Sequence, residues 1–158
     1  MTGARAVLIA ILLGGLAAGT LDIGAATLIS GANPLVILRF IASGLVGKSA
    51  MGGGDQTAML GMLLQWAMSL IIAAIYVLAS LRVPALTRLW IAGGIGYGVI
   101  VYFVMEYVVV PLSAVGHAPK FVPLSFVENL AAMLVFGLIV AGAARSQLAP
   151  ERPEPRTA

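Results

Sequence analysis

The sequence predicts an all-α integral membrane protein, a four-helix bundle with one short extra helix. The first observation is composition, because 61% of the 158 residues are hydrophobic and only 9% are charged. A soluble domain has about a quarter of its residues charged, and it needs them to cover its surface. The second is length, since four apolar runs reach the roughly 20 residues that cross about 30 Å of hydrocarbon. The third is that the short alternating segments of β-barrel strands are not seen.

The predicted spans follow one another along most of the chain. Each would close its own backbone hydrogen bonds, as lipid requires of a spanning segment. They cover about residues 6–30, 58–81, 89–111 and 126–144. The first run follows Arg5 as a signal peptide would, but its apolar region continues to Ser30, beyond the length of a typical signal peptide. We therefore expect it to remain as a span of one membrane domain, residues 1–145.

A short helix is predicted in the connection between the first two spans, at about residues 31–57. Asn33 is a suitable N-cap, Pro34 fits the first helical position, and Gly44 is the expected terminator. With about 10 apolar residues this helix is too short to cross a bilayer. It is expected either to lie along the membrane surface or to re-enter the membrane, and the sequence leaves both arrangements open.

Basic residues near the predicted helix ends favour one orientation. With four spans, both termini and the 82–88 connection share one side, which has six of the nine basic residues: Arg5, Arg82, Arg88, Arg145, Arg152 and Arg156. The other side has Arg39, Lys48 and Lys120. Because basic residues are enriched in cytoplasmic loops, we expect a multi-pass membrane protein with both termini cytoplasmic. The Pro-rich, charged tail 146–158 is expected to be disordered.

The stretch 44-GLVGKSAMGGGDQTA-58 raises the question of a phosphate-binding loop. A P-loop requires G-x-x-x-x-G-K-[ST] between a buried strand and a helix. Gly47 and Lys48 match the end of that motif, but Ala42 stands where its first glycine should be, and an apolar helix precedes it. We predict no nucleotide binding and interpret the glycines as a turn into the second span. The sparse charge also predicts no nucleic-acid partner and leaves the lipid bilayer as the expected surroundings.

Residues that could support catalysis or metal binding are scarce. The sequence has no cysteine, which excludes thiol chemistry, and its one histidine, His117, cannot build a zinc site alone. It also has no Gly-x-Ser-x-Gly nucleophile elbow. The sequence therefore predicts no enzyme, no cofactor and no metal site.

Polar residues inside the predicted spans are the main functional signal. An ionisable residue in a bilayer costs a few kcal/mol or more, so each is a functional candidate. The predicted topology places five such polar residues in the outer half of the membrane: Asp22, Gln65, Glu106, Glu128 and Asn129. They could form a protonatable or cation-binding cluster, as in proton relays and ion-coupled carriers. A structural role stays equally open for Asp22 and Glu106, whereas helix capping is favoured for Glu128.

Small residues in two spans favour close helix packing. Gly15 and Gly19 form a small-x-x-x-small motif in the first span, on the face that carries the aspartate. In the third span Gly94 and Gly98 repeat four residues apart on the face of the glutamate. Close packing along these faces would turn the acids toward the bundle interior. A polar stripe in the second span, from Gln65 to Ser80, is interpreted as contact between helices rather than as a pore lining.

Short segments carry a family resemblance: 19-GTLD-22, 39-RFIASG-44 with 47-GKSA-50, 97-YGV-99 and 110-VPLS-113. They resemble a family of small uncharacterised bacterial inner-membrane proteins and, more distantly, the YagU-like domain-of-unknown-function group. The resemblance covers most of residues 15–145 and is most specific at 39–50. It implies a four-helix inner-membrane protein and supplies no activity, substrate or catalytic residue. The family pattern often has histidine at the place of Gln65 and asparagine at that of Glu106, which implies that this chain lost a titratable ring and gained a carboxylate.

The sequence thus favours a small transport or channel-like protein that moves protons or a small solute, with Asp22 and Glu106 as the titrating or binding groups. The alternative is a structural or accessory subunit whose glycine faces pack against the helices of a membrane-protein partner. Four helices are expected to enclose little volume, so a substrate path is expected to need a homo-oligomer. No particular substrate is indicated.

Overall fold

The structure is a computed structural model that describes residues 3–116 and 121–148. Within those residues the regular elements are helices, and four of them are long and apolar enough to cross a membrane. In chain order the α-helices are α1 (Ala4–Ser30), α2 (Pro34–Val46), α3 (Asp55–Arg82), α4 (Ala85–Arg88), α5 (Trp90–Leu112) and α6 (Pro123–Leu148), and a 3-10 helix, Lys48–Gly52, connects α2 to α3. The long helices are α1, α3, α5 and α6, so the predicted all-α class is confirmed.

The predicted spans lie within four residues of these bounds at either end. Residues 146–148 continue α6, so this part of the predicted disordered tail is helical. The remainder of that tail, His117 and Lys120 lie outside the described residues.

Helix α6 packs against α5 on one side and against α1 on the other. The contact with α5 depends on glycine, as the small-residue pattern predicts. A Cβ added at Gly94 would lie 2.9 Å from the carbonyl oxygen of Gly137, and one added at Gly98 would overlap the carbonyl oxygen of Met133. Since both partners are backbone atoms, only glycine allows the two helices to approach this closely.

Helix α1 packs against α3 through its own glycine pair. A Cβ at Gly15 would lie 2.9 Å from the Cα of Leu70, and one at Gly19 would overlap the side chain of Ser69. The two predicted glycine faces are therefore both used for contacts within this chain.

Helices α3 and α5 meet through tyrosine side chains. The hydroxyl of Tyr97 donates to the carbonyl of Ile72 at 2.7 Å, and its ring lies 5.0 Å from that of Tyr76. We call this group of residues the tyrosine contact. It lies in the half of the bundle where α1 begins, the proximal half. In the opposite, distal half, where α1 and α5 finish and α3 and α6 begin, the space between α3 and α5 is not filled.

The short helix α2 begins as the sequence predicts and ends later. The side chain of Asn33 accepts a hydrogen bond from the backbone N–H of Leu35 at 2.9 Å, and Pro34 occupies the first turn. Gly44 is not the terminator. Helix α2 ends at Val46 and is capped by Gly47, whose φ of 77° is one that glycine adopts readily.

Helix α2 lies across the distal end and connects α3 with the end of α5. Gly61 of α3 is buried against α2, and a Cβ there would overlap the carbonyl oxygen of Leu38. At the other end of α2, the carbonyl of Gly44 accepts a hydrogen bond from the N–H of Ala114 at 2.8 Å. Gly44 thus serves a backbone contact instead of the predicted helix end.

Candidate functional site

A cavity of about 580 Å³ lies in the distal half of the bundle, where α3 and α5 separate. Residues of α1, α2, α3, α5 and α6 all line it. Its volume is within the range of about 300–1,000 Å³ that is usual for small-molecule sites. Most of its lining is apolar and includes four methionines: Met51, Met68, Met105 and Met133. We call it the distal cavity.

The distal cavity brings together four of the five polar residues singled out in the sequence: Asp22, Gln65, Glu106 and Asn129. Glu128 is partly buried and is not among the lining residues. Helix α6 begins at Pro123, so Glu128 lies beyond its first turn and cannot cap it. The capping role predicted for Glu128 is therefore wrong, because the helix starts earlier than its apolar run suggests.

Asp22 is held by a hydrogen bond from the facing helix. Nε2 of Gln65 donates to Oδ2 of Asp22 at 2.8 Å and lies 3.4 Å from the carbonyl oxygen of Gly19. This geometry depends on the glycine, because any side chain at position 19 would overlap Ser69 and move α3 away. The other carboxylate oxygen of Asp22, Oδ1, is not used by this amide and can accept a hydrogen bond from another donor.

Glu106 lies in an irregular part of α5. Residues Met105–Val109 form a π-helical turn, which is rare and is frequently found at functional sites. Pro111 follows it, and proline has no N–H to donate to the carbonyl four residues earlier, at Tyr107. The regular α-helical geometry of α5 is therefore interrupted around Glu106, in the last turns before the helix ends at Leu112.

The two acids border different clefts beside α6. Asp22 also lines a groove of about 100 Å³ between α1 and α6, together with Ala132. Glu106 lines a recess of about 50 Å³ between α5 and α6, together with Asn129 and Tyr102. The distal cavity is therefore flanked by one carboxylate near the α1–α6 seam and another near the α5–α6 seam.

Four more polar side chains line the distal cavity: Ser30, Ser69, Tyr102 and Ser125. Tyr102 precedes Glu106 by four residues and so shares its helix face, which is the signal that the sequence offers for it. Ser125 precedes Asn129 by four residues and accepts, through its carbonyl, a hydrogen bond from Nδ2 of Asn129 at 2.8 Å. The polar residues of the α3 stripe fall into two groups. Tyr76 and Ser80 are buried between helices, whereas Gln65 and Ser69 line the cavity.

Positive charge lies outside the distal cavity. Among the residues that the structure describes, no lysine, arginine or histidine lines it. Lys48 borders a second hollow of about 380 Å³, which shares Phe40, Met51 and Val110 with the distal cavity. The distal cavity itself is thus an apolar space with two carboxylates and no basic side chain from the described residues.

Within residues 3–116 and 121–148, no three His, Cys, Asp or Glu side chains come together in a way that could hold a metal ion.

No protein-family model, curated protein or solved structure matches the chain. The likeness to the YagU-like group therefore stays a prediction, and function has to be argued from the chemistry of the distal cavity.

Proposed function

We propose that the protein moves protons or a small solute across a membrane, with Asp22 and Glu106 as the protonatable or binding groups. The observation that carries this proposal is the distal cavity of about 580 Å³, which both carboxylates line. Carboxylates within spanning helices are rare, and those that face an interior cavity usually belong to a substrate or proton pathway. The cavity gives these two acids a space in which a solute could reach them.

In this proposal the tyrosine contact between α3 and α5 acts as the gate that a solute would have to pass. The bond from Tyr97 to the carbonyl of Ile72 joins α3 to α5 at the proximal end of the cavity, which Ile72 also lines. A solute in the distal cavity could continue only if α3 and α5 separate there. Transporters commonly work by such rocking of one helix group against another around a central site.

The alternative of an accessory subunit has lost its main support. That alternative relies on glycine faces that are free to pack against a partner, but Gly15 and Gly19 contact α3, and Gly94 and Gly98 contact α6. The distal cavity lies within one chain and is partly open to the outside, so it gives a solute access to the two carboxylates. A homo-oligomer stays a prediction, and binding of a small solute does not depend on it.

Charge near the helix ends supports the proposed orientation. Arg5, Arg82, Arg88 and Arg145 lie at the proximal ends of the helices, whereas Arg39 and Lys48 lie at the distal end. An excess of basic residues at the proximal end favours a cytoplasmic location for both termini in an inner (plasma) membrane. The distal cavity would then lie in the half of the bundle away from the cytoplasm.

The experiment that tests the proposal is proton flux into liposomes that contain the purified protein, under an imposed pH gradient and membrane potential. Wild type is compared with Glu106→Gln, Asp22→Asn and empty liposomes. Glu128→Gln is the matched control, because Glu128 is a carboxylate of a spanning helix but is not among the residues that line the distal cavity. We expect flux in wild type and Glu128→Gln, and loss of flux in the two cavity variants.

Two results would count against proton conduction. One is the absence of flux from protein that is shown to be folded and inserted. The other is equal loss of flux in Glu128→Gln and Glu106→Gln, because the effect would then follow carboxylates in general and not the cavity.

A further inference from the structure

We infer that the distal cavity binds a lipophilic organic cation, a molecule with one delocalised or shielded positive charge on a bulky apolar body. This inference rests on the proposed function and names the class of solute for the same site. It follows from the charge, the surface and the size of the cavity.

Charge is the first step. Asp22 and Glu106 line the distal cavity, and no basic side chain among the described residues balances them there. Lys48 borders the neighbouring hollow and not the distal cavity. Opposite charges attract more strongly in a low-dielectric space than in water, so these carboxylates favour a cation and disfavour an anion.

The apolar surface is the second step, because it excludes a small metal ion. Calcium takes six to eight oxygen ligands and magnesium demands a near-ideal octahedron, whereas most side chains around this cavity are hydrocarbon or thioether. A ligand that fills such a space has to present apolar surface to it. Phe40, Tyr102 and Phe136 also line the cavity; aromatic rings attract organic cations, and methionines adapt to the shape of a ligand.

Size and polar contacts are the third step. The volume of about 580 Å³ suits a drug-sized molecule and is much larger than a hydrated proton or a single inorganic ion requires. Asp22 is already oriented by Gln65 through Oδ2, so it presents a fixed carboxylate to the charge of the ligand. Fixing the group before binding reduces the cost of ordering it in the complex.

The test uses two ions of nearly the same shape and opposite charge, tetraphenylphosphonium and tetraphenylborate. Binding of each to the full-length protein in detergent micelles is measured by equilibrium dialysis, with empty micelles as the blank. We expect saturable binding of tetraphenylphosphonium and only blank-level binding of tetraphenylborate. Glu106→Gln and Asp22→Asn are each expected to weaken tetraphenylphosphonium binding by about tenfold or more, and Glu128→Gln is expected to leave it unchanged.

The inference is overturned if both ions bind equally, because that result means partition into an apolar space without charge recognition. It is also overturned if tetraphenylphosphonium binding survives both cavity substitutions in protein whose elution profile and melting midpoint match wild type. Both substitutions keep the size of the side chain, so each checks the other if one variant fails to fold.

The same set of measurements separates this inference from the proposed function. Proton flux that depends on Glu106, without binding of tetraphenylphosphonium, rejects the organic cation and leaves proton conduction standing. Charge-selective binding without flux of protons or of tetraphenylphosphonium supports the binding site and rejects transport.

Discussion

The side-chain amide of Gln65 donates to Oδ2 of Asp22 at 2.8 Å and joins α3 to α1 inside the bundle. The hydroxyl of Ser69 donates to the backbone carbonyl of Gln65 at 2.8 Å and packs against Gly19. The acid, its donor and the glycine that allows their approach therefore form one local unit. This unit fixes the position of one wall of the distal cavity.

The first prediction concerns the free energy of this bond. Replacing Gln65 and Asp22 by alanine, singly and together, should give a coupling free energy of about 0.6 kcal/mol and at most about 1.7, the range found for hydrogen bonds between membrane helices. Unfolding by denaturing detergent in mixed micelles measures it. Gln147→Ala is the control, because the amide of Gln147 contacts the adjacent Ser146 at 3.4 Å. Strictly additive effects of the two substitutions would contradict the assigned bond.

The second prediction compares two glycines of α5. A Cβ at Gly98 would overlap the backbone of Met133, whereas nothing lies within 4 Å of a Cβ at Gly96. Gly98→Ala should therefore lower the free energy of unfolding by about 1–3 kcal/mol, as overpacking does. Gly96→Ala should be neutral or slightly stabilising, since alanine favours a helix over glycine. The same denaturation assay compares them, and equal losses would contradict the packing of α5 on α6.

The spans could be predicted because composition and length determine them almost alone. The start of α2 was also predictable, since Asn33 and Pro34 form a local capping signal. Its end was not, because Gly44 and Gly47 are both suitable terminators by residue type. Only tertiary structure distinguishes them: Gly44 accepts a hydrogen bond from Ala114, far along the chain, while Gly47 takes the positive φ.

The sequence could predict how deep each polar residue of the site lies in the membrane, but not towards which side of its helix the residue faces. Depth follows from the distance of a residue along its span, and it placed Asp22, Gln65 and Glu106 together. Direction depends on how a helix is rotated in the bundle. Glu128 and Asn129 are neighbours about 100° apart around α6, and only Asn129 reaches the distal cavity. The π-helical turn at Glu106 changes the direction of its face, and the only sequence signal for it is Pro111.

The third prediction concerns the attachment of α2. Any side chain at Gly61 would overlap the carbonyl oxygen of Leu38, so Gly61→Ala should loosen α2 from α3. Hydrogen–deuterium exchange of residues 34–46 should become about tenfold faster, because local opening costs less free energy. Gly24→Ala serves as the control, since nothing lies within 4 Å of a Cβ at that position of α1. Unchanged exchange in α2 would show that the Gly61 contact does not hold it.

The fourth prediction concerns the tyrosine contact between α3 and α5. Tyr97→Phe keeps the ring next to Tyr76 and removes the hydroxyl that donates to the carbonyl of Ile72 at 2.7 Å. The free energy of unfolding should fall by about 0.5–1.5 kcal/mol, the usual net contribution of one hydrogen bond. The loss stays in this range because the carbonyl of Ile72 lies within α3 and keeps its hydrogen bond along the helix.

Tyr107→Phe is the matched control for that change, since it removes a hydroxyl from the same helix at a residue that is 49% exposed. It should leave the unfolding free energy within about 0.5 kcal/mol of wild type, as is usual for surface substitutions. If Tyr97→Phe and Tyr107→Phe behave alike, the hydroxyl of Tyr97 does not join α3 to α5. If only Tyr97→Phe lowers stability, the hydroxyl of Tyr97 contributes to the contact between α3 and α5 in the proximal half of the bundle.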